Sequence, residues 1–261
     1  MEVIIVSNPD QIGSVAADHV ESLISAKSNA VLGVATGSSP LGLYAELGRR
    51  VSAGKLSLKD ASAFMLDEYV GLPADHPERY RTFIERHFVE ATDILSANVH
   101  GPDGAAEDME KACAAYEQAI KDAGGVDLQI LGVGTDGHIA FNEPGSSLAS
   151  RTRLKSLMEQ TRHDNARFFD DDIDQVPHHC VTQGVGTILD ARHLVLLASG
   201  KGKAEAIKGV VEGPVTSSCT GSALQMHPKA TVIIDEDAAS LLDHADYYRF
   251  AYANKPDWQR V

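Results

Sequence analysis

The sequence predicts an α/β fold, with a doubly wound, mostly parallel sheet and helices on both faces. Short apolar runs, each the length of a buried strand, alternate along the chain with amphipathic segments of helical period. Several of these runs end in polar loops rich in glycine, hydroxyls or acids, where open α/β sheets bind their ligands. A chain of 261 residues can form one large domain. We therefore predict a single Rossmann-like domain spanning residues 1–261, with a strand order that remains open.

Composition and charge argue against several classes of protein. A formal net charge of −14 disfavours a nucleic-acid-binding surface. Apolar runs stay far short of the ~20 residues of a membrane-spanning helix, and the N-terminus does not resemble a signal peptide. Three cysteines, far apart in sequence, argue against a disulfide framework or a structural zinc site. We expect a cytoplasmic protein with no nucleic-acid partner, no membrane partner and no metal site.

Predicted strands and helices alternate in the first half of the chain. Apolar runs predict strands at 3–6, 31–35 and 61–66. Amphipathic spacing and capping residues predict helices at 11–26, 40–51, 79–87 and 107–122. The segment 99–104 has neither pattern and is predicted to be a loop.

The second half continues this alternation after one irregular region. Strands are predicted at 128–133, 193–198 and 230–234, and helices at 184–189, 199–211 and 236–242. The region 144–177 is predicted to be irregular and collects basic residues in an acidic chain: Arg151, Arg153, Lys155, Arg162 and Arg167. Solvated positions or anion binding would both account for them. The tail is predicted to pack against the rest of the chain through Tyr247, Tyr248, Phe250, Tyr252 and Trp258.

The glycine-rich segment after the run at 128–133 has the strongest signal of a functional site. Asp136, His138 and Glu143 follow that run closely. If the run is a buried strand, the three side chains lie just past its carboxyl end. Imidazole exchanges protons near neutral pH unaided, and flanking carboxylates would orient its ring. The alternative interpretation is a glycine-rich turn with a solvated acid and a surface histidine.

The segment TGSSP at 36–40 joins a predicted strand to a predicted helix. Ser39 is placed as the N-cap and Pro40 as the first helical residue. Free N–H groups at a helix N-terminus attract phosphate, and this loop adds hydroxyls and a glycine. The candidate phosphate-binding residues are Thr36, Gly37, Ser38 and Ser39. An ordinary capped turn between strand and helix would have the same sequence pattern.

Two other predicted strands also end in polar residues. Asp67 follows the run at 61–66, where it is either a proton-transfer base or a cap. Lys203 lies in the glycine- and lysine-containing turn after the strand at 193–198. That turn opens a helix and is a second candidate contact for phosphate.

Taken together, these segments resemble the glucosamine-6-phosphate deaminase (isomerising) family. The matching segments extend over nearly the whole chain: GVATGSSPLGLYAEL, FMLDEYVGL, GVGTDGHIAFNEPGSSL, RFFDDDIDQVPHHCVTQGVGTILDA and ALQMHPKATVIID. The third is the most specific. The related 6-phosphogluconolactonases share the fold and an Asp-Gly-His, but their expected continuation differs from the IAFNEP found here at 139–144.

The resemblance implies a fold of the sugar-phosphate isomerase type and a reaction in amino sugar catabolism. D-Glucosamine 6-phosphate and water would give D-fructose 6-phosphate and ammonia. Ring opening is assigned by analogy to His138, oriented by Asp136 and Glu143, and proton transfer from C2 to C1 is assigned to Asp67. The chemistry needs no redox step and no electron sink, so the resemblance implies no cofactor and no metal.

The resemblance also gives the phosphate-binding candidates a common role. The substrate phosphate is expected to contact the loop and two cations: Thr36, Gly37, Ser38, Ser39, Arg167 and Lys203. Some relatives have Gly-Gly-Thr where this chain has Gly-Ser-Ser at 37–39. Backbone N–H groups and hydroxyls remain after that change, so phosphate binding is expected to survive it.

The sequence is compatible with more than one mode of regulation and more than one substrate. Some family members are hexamers activated by N-acetylglucosamine 6-phosphate, whereas others are monomers without this control. The basic residues used for activation match Arg153 and Lys155, close to Ser146. A homo-oligomer and this activator are therefore hypotheses. The functional alternatives are a galactosamine-6-phosphate deaminase/isomerase, a 6-phosphogluconolactonase and a non-enzymatic sugar-phosphate sensor.

Overall fold

The computed structural model describes residues 1–256 and 259, and its strands form two sheets. The strands are β1 (Glu2–Val6), β2 (Val31–Val34), β3 (Ser62–Met65), β4 (Asp67–Tyr69), β5 (Val99–His100), β6 (Leu128–Leu131), β7 (Arg153–Ser156), β8 (His179–Thr182), β9 (Leu194–Ala198) and β10 (Ala230–Asp235). Seven form a parallel sheet in the order β1-β10-β9-β6-β2-β3-β5. The other three form an antiparallel sheet in the order β4-β8-β7. The predicted mostly parallel α/β fold is confirmed.

The helices follow the strands along the chain. They are α1 (Pro9–Ala26), α2 (Leu41–Ser52), α3 (Tyr80–Ile84), α4 (Met109–Asp122), α5 (Glu159–Ala166), α6 (Val185–Leu189), α7 (Ala204–Val211) and α8 (Ala245–Ala253). A π-helical turn, Glu85–Val89, continues α3. Within the described residues, the helices are all too short or too polar to cross a membrane.

The central strands are buried along their whole length. Every residue of β2, β6, β9 and β10 is buried. In the register of the parallel sheet, Leu32 pairs with Leu128, and Gln129 pairs with Leu194. A strand covered by helices on both faces has no solvent side, so its sequence is mostly apolar along its whole length. This burial explains why the central strands were predicted from the sequence.

The first turns of α1 and α2 are capped differently. The Asn8 side chain accepts the N–H of Gln11 at 3.1 Å, and Pro9 occupies the first turn of α1. The predicted start of α2 was wrong by one residue: the helix begins at Leu41, and Pro40 precedes it without a side-chain cap bond. The loop hydroxyls at 36–39 are therefore not used for capping the first turn of α2.

Several other predictions about local structure were wrong. Val99–His100, placed in a predicted loop, pairs with β3 as an edge strand. The segment 236–242, predicted as a helix, forms turns. The region 144–177, predicted to be irregular, contains β7 and α5. These elements are short or polar, so apolar periodicity does not mark them.

The aromatic tail packs only in part. Tyr248 lies against the main core, and its hydroxyl donates to Glu212 at 3.1 Å. Tyr247 and Phe250 are 65% and 66% exposed, contrary to the prediction that the tail aromatics pack. Trp258 lies outside the described residues.

The antiparallel sheet lies where β3 ends and was not predicted. Asp67 of β4 and Arg153 of β7 are both register partners of Thr182 in β8. A second, smaller core packs around this sheet and consists of Tyr69, Phe141, Leu157, Ala166, Phe169, Val176 and Cys180. The sheet therefore places Asp67 and Arg153 on neighbouring parts of one small unit.

Candidate active site

A cleft of about 450 Å³ lies where neighbouring strands of the parallel sheet end. Strands β9, β6, β2 and β3 are consecutive in the sheet, so the loops at their carboxyl ends meet at one edge. Eight of the residues predicted from the sequence line the cleft: Thr36, Gly37, Ser38, Ser39, Asp67, His138, Arg167 and Lys203. The structure therefore brings together segments that lie more than a hundred residues apart in the chain.

The imidazole of His138 lies between the cleft and two carboxylates. Its Nδ1 is 2.7 Å from Oδ1 of Asp136 and 3.7 Å from Oε2 of Glu143. The contact between Nδ1 of His138 and Oδ1 of Asp136 is short, but its angles are poor for a hydrogen bond. Oε2 of Glu143 is buried without a hydrogen-bond partner among the described residues. With Nδ1 turned toward the acids, Nε2 is left to face the cleft. This arrangement suits a histidine that exchanges protons with a ligand.

The two acids beside His138 have different surroundings. Glu143 is 3% exposed, and its Oε1 accepts the N–H of Met158 at 3.1 Å. Asp136 is more exposed, and its Oδ1 accepts the N–H of His138 at 3.0 Å. Burial alone would raise the pKa of Asp136, but its contacts with His138 outweigh burial and hold that pKa below its usual value. Asp136 is therefore ionised at neutral pH.

The loop that carries His138 is fixed by backbone contacts. The Thr182 hydroxyl accepts the N–H of Phe141 at 3.2 Å, and the Thr220 hydroxyl donates to the Asn142 carbonyl at 2.8 Å. Ala140 has φ of 50°, a left-handed conformation that is uncommon for a non-glycine residue and clusters at functional sites. A Cβ added at Gly134 would lie 2.4 Å from the His138 ring, so only glycine leaves room for the imidazole.

Asp67 is a buried carboxylate without a counter-ion among the described residues. It is 6% exposed, and its carboxylate has no hydrogen-bond partner within the described part of the chain. Burial raises its pKa to about 8, with the negative charge of Glu68 as the second cause. A carboxylate with such a pKa, open to a cleft, is suited to accept a proton from a bound molecule near neutral pH.

Hydroxyls, backbone N–H groups and cations also line the cleft. Gly37 has φ of +87°, which lets the loop at 36–39 turn sharply after β2. The Lys203 ammonium donates to the Val133 carbonyl at 2.8 Å. Its pKa is lowered by burial and then by the charge of Arg167. Two cations close enough to repel each other provide a site for an anion.

Aromatic residues that the sequence analysis did not single out form one wall of the cleft. Tyr80 and Phe141 are stacked with ring centroids 5.8 Å apart, and Tyr69 lies beside both. The Tyr69 hydroxyl accepts a bond from Asn165 of α5 at 2.9 Å and lies 3.3 Å from the Tyr80 hydroxyl. The one sequence signal for this wall is the position of Tyr69, two residues after Asp67.

Of the three residues predicted for an activator site, Arg153 and Lys155 lie in β7, and none of the three lines the cleft. Arg153 donates to the side-chain oxygen of Asn142 at 2.9 Å. Lys155 follows two residues later, on the same face of β7. Ser146 is 4% exposed, and its hydroxyl has no partner among the described residues. Arg153 therefore connects the predicted activator residues to the loop that carries His138.

Asp136, His138 and Glu143 are also candidate ligands of a metal ion. Their ligand atoms lie within 4.8 Å of one another. Carboxylate and imidazole are common ligands of divalent metals.

The fold and the cleft agree with comparisons to known proteins. A family model for glucosamine-6-phosphate isomerases/6-phosphogluconolactonase matches residues 9–235. The chain belongs to this family of sugar-phosphate enzymes. A glucosamine-6-phosphate deaminase of Mycolicibacterium smegmatis is 61% identical over 261 residues and covers 100% of both chains. A glucosamine-6-phosphate deaminase of Streptomyces coelicolor is 57% identical, also over 100% of both chains.

Solved structures place the chain on the deaminase side of the family. A monomeric glucosamine-6-phosphate deaminase superposes with a TM-score of 0.89 at 41% identity, covering 92% of this chain and 100% of that one. The 6-phosphogluconolactonase from Trypanosoma cruzi has a TM-score of 0.75 at 22% identity, covering 93% of this chain and 97% of that one. The second likeness shows a shared fold.

Proposed function

We propose that this protein is a glucosamine-6-phosphate deaminase, which converts D-glucosamine 6-phosphate and water to D-fructose 6-phosphate and ammonia. One observation carries the proposal: Asp67, buried and without a partner among the described residues, shares a cleft with His138 and with a two-cation anion site. An aldose–ketose isomerisation of a phosphorylated sugar needs these three groups together.

Ring opening is the first step that the geometry supports. His138, through the nitrogen facing the cleft, takes the proton of the O1 hydroxyl as the C1–O5 bond breaks, and a proton is returned to the ring oxygen. The imidazolium formed on the way is stabilised by Asp136 at 2.7 Å and Glu143 at 3.7 Å. This acid–base assistance is worth about 10²–10⁴-fold in rate.

Proton transfer between C2 and C1 follows in the open-chain sugar. The Asp67 carboxylate removes the C2 proton, the electrons form a C1–C2 double bond, and the aldehyde oxygen gains a proton. The resulting enolamine is protonated at C1 by the carboxyl of Asp67, which leaves an iminium at C2. Water adds to C2 and a proton passes from the added oxygen to the amine. Ammonia then leaves with the C–N bonding pair, and the remaining hydroxyl proton is released to solvent as C2 becomes the ketone. A base with a pKa of about 8 accepts and returns a proton at similar cost near neutral pH.

The phosphate fixes the sugar relative to these groups. We place it on the hydroxyls and N–H groups of 36–39, facing Lys203 and Arg167. Charge-assisted contacts to phosphate are stronger than neutral hydrogen bonds. With one end held, C1 and C2 stay within reach of Asp67 for the whole reaction.

Regulation and location are part of the same proposal. Arg153 and Lys155 share a face of β7, which supports a site for N-acetylglucosamine 6-phosphate beside the His138 loop. Such a site would be completed by a second subunit in a homo-oligomer. We place the protein in the cytoplasm, because its described cysteines are free thiols.

Ammonia release tests the proposal directly. Purified protein is incubated with glucosamine 6-phosphate and, in parallel, galactosamine 6-phosphate, with and without N-acetylglucosamine 6-phosphate. We expect rapid release from the gluco sugar and loss of that release in the Asp67→Asn variant. Release from the galacto sugar alone would keep the mechanism and change the substrate. No release from either sugar would contradict the proposal.

A further inference from the structure

Glu68 follows Asp67 in β4 but serves a different part of the molecule. Successive side chains of a strand point to opposite faces, so Glu68 faces away from Asp67. Glu68 is 1% exposed, and its Oε1 accepts the backbone N–H of Tyr80 at 3.0 Å. Its Oε2 accepts the N–H of Arg81 at 2.9 Å. Glu68 therefore ties the start of α3 to β4.

The two adjacent acids are bound by the protein in opposite ways. Besides the two N–H groups of α3, Glu68 accepts the N–H of Tyr69 at 2.9 Å, and the guanidinium of Arg79 lies 3.7 Å away. Asp67 has no such donors within the described residues. One acid is held in place by hydrogen bonds, and the other is left open to the cleft.

Glu68 is also the charged group that acts on Asp67. Four other titratable side chains interact electrostatically with Asp67, from β4, α3, α4 and β8: Tyr69, Tyr80, Tyr116 and Cys180. Burial raises the pKa of each of them, so all four are neutral in the range where the enzyme would work. Among the described residues, Glu68 is left as the fixed negative charge beside the base.

We propose that Glu68 is a positioning residue for the deamination: its carboxylate holds α3 and Tyr80 at the cleft and keeps one negative charge beside Asp67. The inference rests on the proposed function, in which Asp67 is the base. Tyr80 forms part of the aromatic wall. The Glu68 side chain therefore acts both on the shape of the cleft, through Tyr80, and on its electrostatics.

The charge has a consequence for the pH dependence of turnover. A negative charge disfavours ionisation of a neighbouring carboxyl, so Glu68 adds to burial in raising the pKa of Asp67. Activity that needs ionised Asp67 is lost as pH falls through that pKa. Removing the charge of Glu68 therefore moves this acidic limb to lower pH.

The pH profile of kcat in Glu68→Gln is the test. We expect the acidic limb to move down by about one pH unit, the scale of one unit charge ~10 Å away at an effective dielectric constant of ~20. Glu68→Asp keeps the charge but is too short for its contacts with α3. The acidic limb of the Glu68→Asp profile should stay in place while kcat falls. Asp108→Asn removes the charge of another carboxylate at a helix N-terminus, on α4, and should leave the profile unchanged.

An unmoved limb in Glu68→Gln, or an equal shift in Asp108→Asn, would overturn the inference. If Glu68→Gln does not fold, Arg79→Gln replaces it. The Arg79 guanidinium lies 3.7 Å from Glu68 and offsets part of its charge, so loss of Arg79 should move the acidic limb to higher pH. An unmoved limb in Arg79→Gln overturns the inference as well. Asp67→Asn separates the two proposals. A near-native rate in Asp67→Asn contradicts the proposed base, whereas an inactive Asp67→Asn with an unmoved Glu68→Gln limb contradicts only the role of Glu68.

Discussion

The ammonium of Lys203 donates a hydrogen bond to the backbone carbonyl of Val133, 2.8 Å away, at the end of the segment that begins with β6. This contact joins the start of α7 to the loop that leads to His138. A residue placed for the substrate phosphate thus also supports the loop of the proposed acid–base group.

Replacing Lys203 by Gln is expected to lower kcat/KM by about 10–100-fold, because a charge-assisted contact to phosphate is lost. The loss should appear mainly as a higher KM, with a smaller fall in kcat from the loosened loop. Steady-state ammonia release measures both. Lys208→Gln, in α7 and paired with Asp243, is the matched control and should behave like the native protein. Equal kinetics in the two variants would contradict the phosphate site.

His138→Gln is expected to lower kcat by about 10²–10³-fold with the closed-ring sugar phosphate, because assisted ring opening is lost. Asp67 remains in this variant, so the open-chain fraction of the substrate should still react. Single-turnover measurements separate the two rates. The control is His163→Gln, an exposed histidine of α5. A His138→Gln enzyme that opens the ring at the native rate would exclude His138 from this step.

The raised pKa of Asp67 makes the free energy of unfolding depend on pH. Between its ordinary value of 3.8 and the folded-state value of about 8, the folded protein binds more protons than the unfolded chain. By linkage, this contribution to stability is greatest below pH 4 and falls as pH rises toward 8. Asp67→Asn removes the effect.

We therefore expect Asp67→Asn to be more stable than the native protein at pH 8, by roughly 2–4 kcal/mol more than at pH 5. Urea unfolding at the two pH values measures the difference. Asp122→Asn, at the exposed end of α4, is the control and should show no such trend. A native protein no less stable than Asp67→Asn at pH 8 would contradict the burial of a charged carboxylate.

Arg153→Gln tests the proposed activator site. We expect N-acetylglucosamine 6-phosphate to raise the rate of the native protein at low substrate concentration and to have at least ten-fold weaker effect on the variant, because Arg153 supplies a cation. Initial rates over a substrate series measure this. Lys121→Gln, in the last turn of α4, is the control. A hyperbolic rate curve that the acetylated sugar leaves unchanged in the native protein would rule out this activation.

The buried parallel strands were the most predictable part of the structure, and the antiparallel sheet the least. Residues 128–131 and 230–235 are buried throughout and mostly apolar because helices cover both faces. In β7, half-buried and exposed residues alternate over only four positions, and the helix α5, EQTRHDNA, has almost no apolar residues. Both are held by contacts distant in sequence, the pairing of Lys155 with Cys180 in β7 and the bond of Asn165 to Tyr69 in α5, and local periodicity does not indicate these contacts.

The candidate site shows the same division. His138 and Asp67 were predicted because polar residues at strand ends stand out against apolar runs. The position of Tyr80 at the cleft depends on Glu68, whose hydrogen bonds to α3 follow from the folded chain alone. A buried glutamate next to a proposed base resembles, in sequence, any acidic pair at a turn.

The absence of hydrogen bonds to the Asp67 carboxylate within the described residues matters for the motion of the base. In the proposed reaction, the same carboxylate removes a proton at one carbon and delivers it to the neighbouring carbon. A carboxylate clamped by donors would have to break those bonds to swing between the two positions. Asp67 is anchored through the backbone of β4, and no hydrogen bond from the described residues holds its carboxylate in one orientation. In the proposed reaction, the proton can therefore be carried across one face of the sugar without exchange with solvent at each turnover.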